Sequence, residues 1–223
     1  FTPQVDFLAD FAELKRLGAT AFVAHPTGWW PVTKYNEEQK QILEKLPSPF
    51  LMEICNGANN IVSAFDYTDD SAVQIWDRLL RLGRVVHVLG NTDAHAHHGI
   101  GMVWNGVFAP HCNQPAILRS LGSGQNFVSD GPLVHLAMGR ARMGGKAGPA
   151  DRRQNLKITA IDSRGLASVR VVGDGKEILW SPCRGTAPFV KSLRIPKSVH
   201  QYVRVEVRSG DGRRAFSNPI YLS

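Results

Sequence analysis

Apolar residues follow one period in the first half of the chain and another in the second. Val5, Leu8, Phe11, Leu14 and Leu17 stand three apart, which predicts an amphipathic helix over residues 5–17, stopped by Gly18. Residues 20–24 form a short apolar run ending at His25-Pro26 and predict a buried strand. A second helix is expected over 35–46, with Ile42, Leu43 and Leu46 on one face and Pro47 as its stop. Residues 50–55 predict a second buried strand, closed by Asn56-Gly57. Ser71 can cap a helix in which Val73, Trp76, Leu79 and Leu80 share a face and Gly83 ends it. Residues 84–89 predict a third buried strand that runs straight into Gly90-Asn-Thr-Asp-Ala-His95, and a short helix (114–121) and a strand (126–129) follow. Helices alternating with continuously apolar strands predict an α/β unit with a parallel sheet or an (α/β) barrel.

From residue 133 the period shortens. Residues 133–138, 156–161, 168–172, 177–180, 190–195, 202–207 and 215–222 are short β-type runs, several of them alternating. Gly173-Asp-Gly175 and Gly210-Asp-Gly212 supply hairpin turn chemistry between them. The pattern predicts a small antiparallel sandwich of immunoglobulin-like type. Two domains are expected, 1–131 and 132–223, divided near Asp130-Gly131-Pro132.

Charge follows the same division. Residues 1–130 carry 9 Lys and Arg against 13 Asp and Glu, whereas residues 131–223 carry 17 against 6. The balances of −4 and +11 give the chain its +7 and point to two domains with different surfaces. The basic half can attract phosphate-rich molecules, but arginines scattered over strand faces do not by themselves predict a nucleic-acid partner. No run approaches the roughly 18 apolar residues of a membrane helix, so no membrane partner is expected. Cys55, Cys112 and Cys183 are too few and too scattered for a disulfide framework and form no C-x-x-C pair. Phosphate-binding glycine loops, dinucleotide fingerprints and G-x-S-x-G elbows are absent. The chain opens on Phe1-Thr2-Pro3, with no initiator Met and no signal-peptide pattern to read.

In parallel α/β folds chemistry collects at the carboxyl ends of the strands, and three predicted strands end in suitable groups. His25 follows the first, Glu53 and Asn56 lie near the end of the second, and Asp93 and His95 follow the third. In extended chain Asp93 and His95 point to one side, so carboxylate and imidazole can hold one divalent ion. The plainer alternative makes Asp93 a turn cap and His95 a surface imidazole, one of three histidines with His97 and His98. His25 gains weight as a ligand from its place on the same rim, and Pro26 restricts its backbone. Glu53 is a carboxylate inside an apolar strand, costly unless paired; it is expected to contact substrate, to orient a ligand, or to pair with a basic neighbour. His87 reads as structural. Trp29 and Trp30 can wall a cleft or meet another domain.

Ala24-His25-Pro26, Met52-Glu53-Ile54-Cys55-Asn56-Gly57, Trp76-Asp77-x-Leu79-Leu80-x-x-Gly83 and Gly90-Asn91-Thr92-Asp93-Ala94-His95 stand in the order seen in PHP-domain metallohydrolases, and the chain resembles their CehA/McbA-type branch. Asn126-Phe-Val-Ser-Asp-Gly-Pro132 and Phe216-Ser-Asn-Pro-Ile-Tyr221 are similar to that branch's passage into its C-terminal β-domain. The resemblance implies the C-terminal part of a distorted (β/α)7 barrel followed by the sandwich. It also implies two or three divalent metals (Zn, Mn or Fe) per complete barrel. A metal-activated water would cleave a small phosphate or carboxylic ester, with His25, Asp93 and His95 as ligands and Glu53 at an acidic position near the cleft. The family's opening His-x-His strand and further upstream ligands do not occur here, so the N-terminal part of the barrel is expected outside this chain. The alternative expectation is a non-catalytic barrel remnant whose basic β-domain binds an anionic polymer or a protein.

Overall fold

The computed structural model describes residues 6–29, 33–34, 36–57, 65, 67–95 and 97–222. Its first helix, α1 (Phe7–Arg16), is capped by the Asp6 carboxylate, which accepts from the N–H groups of Leu8 and Ala9 at 3.1 Å. Of its predicted apolar stripe only Phe11 is buried; Leu14 and Leu17 are exposed, and Val5 lies outside the described residues. The first strand, β1, shrinks to Phe22–Val23. After it come a two-stranded ribbon, β2 (Gly28–Trp29) with β3 (Thr33–Lys34), and the helix α2 (Glu37–Lys45). Trp30 lies outside the described residues. The strands β4 (Phe50–Asn56) and β5 (Val86–Asn91) enclose the helix α3 (Tyr67–Arg81). That helix begins a full turn before Ser71, so Ser71 is an interior residue rather than the cap. Trp76, Leu79 and Leu80 are buried as their spacing predicts.

β1, β4 and β5 pair in parallel in that order, with Phe22 opposite Leu51 and Met52 opposite Val88. The sheet stops there. The expectation of a (β/α)7 barrel portion is overturned: strand outweighs helix, 37% against 24% of residues, and no barrel forms among the described residues. The reason lies on the outer edge of β5. A barrel would continue by laying another backbone along this edge, whose alternate residues Val86, Val88 and Gly90 point N–H and C=O outward. Side chains occupy all three positions instead. The Tyr221 hydroxyl bonds both the N–H and the C=O of Val86 at 3.1 Å. The Asn218 amide accepts from Val88 N–H at 2.8 Å and donates to its carbonyl at 3.1 Å. The Asn105 amide does the same for Gly90 at 3.0 and 2.7 Å. Three side chains thus satisfy an edge that would otherwise need a strand.

Those side chains come from the β-rich remainder, which is compatible with the expected sandwich. One sheet orders β13 (Phe189–Leu193), β10 (Leu156–Ile161), β8 (Leu133–Met138) and β9 (Ala141–Arg142). The other orders β12 (Lys176–Pro182), β11 (Leu166–Gly173), β14 (Tyr202–Ser209), β15 (Arg214–Ser217), β7 (Asn126–Ser129) and β6 (Trp104–Val107), with β16 (Ile220–Tyr221) added on β14. β6 and β7 therefore belong to the sandwich although they precede the expected boundary at 131/132. The helices α4 (Gln114–Gly122) and α5 (Pro149–Arg152) are connections. At the β11–β12 turn Asp174 and Gly175 adopt φ of 50° and 77°, the paired left-handed residues a tight hairpin needs. Gly90 lets β5 lie against β7, since a Cβ there would meet Val128 at 2.3 Å.

The core divides accordingly. One apolar cluster fills the sandwich, and a second joins the parallel sheet to Val128, Tyr202, Phe216 and Tyr221 of the β-domain. His87, on β5, is buried in the second region with its ring edge-on to Tyr221. Burial lowers its pKa from 6.5 to about 4. The unfolded chain therefore takes up this proton first as pH falls, and stability must drop below pH 6.5. The expected loss between pH 6.5 and 5.5 is about 1 kcal/mol from this residue. Urea unfolding of the protein and of His87→Gln across that range checks it; an equal pH slope in both would refute the assignment.

Candidate functional site

The carboxyl ends of β1, β4 and β5 form the rim to which sequence assigned the chemistry, and one carboxylate ties the three tips together. Glu53, 2% exposed, accepts the backbone N–H of His25 at 2.5 Å, the Asn91 amide at 2.8 Å and the Asn56 amide at 3.4 Å. Burial raises its pKa, and these donors pull it back. Among the described residues Glu53 has no Lys or Arg partner; backbone and amide groups satisfy it instead. The adjoining cavity, between the His25 turn and α3, measures about 10 Å³, room for one water at most. Of the roles expected for Glu53, this geometry serves positioning: the carboxylate holds the backbone on which His25 and the end of β5 are mounted.

His25 and Asp93 leave their strands in the same unusual way. His25 has φ of 31° and Asp93 φ of 46°, so the region a residue before proline ordinarily takes is not the one His25 adopts. Among the described residues only Asp174, in its hairpin turn, is a third non-glycine with positive φ. The His25 carbonyl accepts from Gly28 N–H at 2.8 Å, closing a turn with Pro26 at its second position.

Asp93 and His95 form a local pair on the exposed side of the rim. His95 Nδ1 lies 2.6 Å from the Asp93 carbonyl oxygen and 3.9 Å from its carboxylate. A carbonyl only accepts, so Nδ1 carries the proton and Nε2 keeps its lone pair for an outside partner. This is how a protein presents an imidazole to a metal. The donors offered by His25, Asp93 and His95 are the nitrogen and oxygen types that Zn, Mn and Fe accept. Their chemistry fits such an ion, but no three His, Cys, Asp or Glu side chains among the described residues converge on one point. The structure thus joins Glu53 to His25, and Asp93 to His95, without gathering the whole set.

Asp69 belongs to the rim but was not singled out by sequence. It is buried in the first turn of α3, and its carboxylate accepts from Asn56 N–H at 3.0 Å and lies 3.8 Å from the Cys55 thiol. Burial, followed by the charges of Asp69, Asp130 and Glu53, pushes the Cys55 thiol pKa well up, so this cysteine is inert as a nucleophile. A helix start at Ser71 leaves Asp69 outside the helix, and its partner Asn56 stands thirteen residues away, so no local spacing announces the pair.

No helix among the described residues is long and apolar enough to cross a membrane. Comparison with protein-family models, with curated proteins and with solved structures finds no match to this chain.

Proposed function

We propose that the strand-tip rim is the metal-binding face of a hydrolase acting on phosphate or carboxylic esters, with His25, Asp93 and His95 as ligands. One observation carries the reading: two of the three left-handed non-glycine residues described are His25 and Asp93, each just past a parallel strand. Such strain costs roughly 1–3 kcal/mol per residue and persists where function needs the direction it gives a side chain. The order of motifs resembling PHP-domain metallohydrolases supports the same chemistry, without the barrel. A divalent ion supplies a water of lowered pKa and a Lewis acid for the ester oxygen. The chain's own part is to hold Nε2 of His95 outward through the Asp93 carbonyl and to fix the His25 backbone through Glu53.

Loading the purified protein with Zn, Mn and Fe in turn, followed by metal analysis and assay on p-nitrophenyl phosphate and p-nitrophenyl acetate, tests this. Stoichiometric metal is expected, and Asp93→Gly should lose it while remaining at least as stable in urea, because glycine is unstrained at φ of 46°. Metal-free protein under all three loadings, or unchanged metal content in Asp93→Gly, sinks the reading. A non-catalytic role for the basic β-domain has its own support in that domain's unbalanced charge.

A further inference from the structure

The charge of the β-domain is unevenly compensated. Arg164, Arg170, Arg204, Arg213 and Arg214 are in ion pairs with carboxylates, all around the seven-stranded sheet. Elsewhere in the sandwich, Arg152, Arg194 and Lys197 are in no ion pair among the described residues. There a pocket of about 300 Å³ is walled by Arg152, Arg194 and Lys197, and its apolar lining is Met138, Ile195 and Leu222; no acidic residue lines it.

The two guanidinium groups are held by backbone carbonyls, which fix their direction without neutralising them. Arg152 donates to the carbonyls of Leu222 at 2.9 Å and Val199 at 3.3 Å, and Arg194 donates to that of Arg153. Each guanidinium has five N–H groups, so most remain for a ligand. Three like charges around one concavity repel each other unless an anion joins them. Arginine forks match the tetrahedral oxygens of phosphate, and a dianion answers several cations better than a monoanion. The volume is at the lower end for ligand pockets, and the apolar floor asks for a short hydrocarbon or ring.

We propose that this pocket binds a phosphate monoester, with its phosphate between Arg152, Arg194 and Lys197 and its apolar substituent on Met138, Ile195 and Leu222. The site is lined wholly by sandwich residues and stands whether or not the rim binds metal. The same chemistry is presented by a soluble phosphoester and by a phosphatidic acid headgroup.

Calorimetry on the intact chain with hexyl phosphate should show one saturable site that weakens with added salt. Hexyl phosphate should bind about tenfold tighter than inorganic phosphate, the gain of burying roughly two methylenes. Arg194→Gln and Lys197→Gln should each weaken binding roughly fivefold or more without moving the urea midpoint, since both side chains are exposed. Absence of saturable binding, equal affinity for inorganic phosphate, or indifference to both substitutions overturns the proposal. Sedimentation with phosphatidic acid vesicles separates the sources. Retention together with hexyl phosphate binding assigns a lipid headgroup, and hexyl phosphate binding alone a soluble ester. Retention without hexyl phosphate binding overturns the pocket.

Discussion

Arg204→Ala is expected to cost about 3–5 kcal/mol of folding stability, the range for breaking a buried ion pair from one side. The guanidinium is 1% exposed and lies where β14 meets α3. It grips Asp77 with two bonds, Nε to Oδ1 at 2.9 Å and Nη2 to Oδ2 at 2.7 Å, and donates Nη1 to Glu206 at 2.7 Å. Its Cζ sits 4.7 Å from the centre of the buried Trp76 ring, and the Tyr202 hydroxyl donates to the same Asp77 oxygen at 2.9 Å. Burial works against the arginine's charge, but Glu206 and Asp77 outweigh it and hold the pKa above its ordinary value. Removing the guanidinium leaves the Asp77 carboxylate with the Tyr202 hydroxyl as its one side-chain donor among the described residues and opens a hole against Trp76. Domains of this kind are stable by roughly 5–15 kcal/mol, so the loss would be a large fraction of the total.

Two further substitutions separate charge from packing. Arg204→Lys keeps the charge and loses the fork, so an intermediate loss is expected. The pair Arg204→Met with Asp77→Asn removes both charges and should recover much of the stability. Urea unfolding at pH 7 measures all of them. A loss under 1 kcal/mol for Arg204→Ala would mean that the Arg204–Asp77 pair does not help to join the parallel sheet to the sandwich.

Residues near each other in sequence told most of what could be read without coordinates. β8 and β10 appear where alternation put them, and β4, β5 and α3 fall within a few residues of their expected bounds. The Asp174-Gly175 turn follows from the dipeptide itself. What failed was the choice of neighbour. Residues 126–129 are a short strand run that fits a barrel or a sandwich alike; pairing with β15, some 90 residues away, decides it. The stop after β5 was equally hidden, because it depends on amides and a phenol at 105, 218 and 221. In sequence Asn218 falls inside the β-type run 215–222, with nothing to mark it as a partner of β5. At the site, polar residues closing apolar strands announced the rim. The role of Glu53 as a tie between three strand tips depends on Asn91 and a backbone N–H, which no spacing rule reveals.

Asn218→Ala is the sharper test of that sealed edge, with an expected loss of about 2–4 kcal/mol from buried groups left without partners. Asn218 is fully buried, and its amide meets four polar atoms: Val88 N–H and C=O, and the backbone and side-chain oxygens of Asn126. The Val88 carbonyl would keep the Asn126 amide at 2.9 Å, but the Val88 N–H would have no acceptor. Asn218→Asp keeps the shape and that acceptor yet loses all three donations, and it sets a carboxylate against three oxygens. It should be worse than alanine at pH 7 and recover on acidification, when the protonated acid can donate again. Tyr221→Phe leaves the Val86 position unserved on this side, although the Trp76 indole still donates to Val86 carbonyl at 3.1 Å, so a smaller loss is expected. Asn105→Ala, at a residue that is itself half-buried, admits water and should cost least. Urea unfolding gives the ranking, and hydrogen exchange at Val86, Val88 and Gly90 gives its location. If Asn218→Ala is no worse than Asn105→Ala, the edge of β5 is not held by these side chains, and a strand could have continued the sheet.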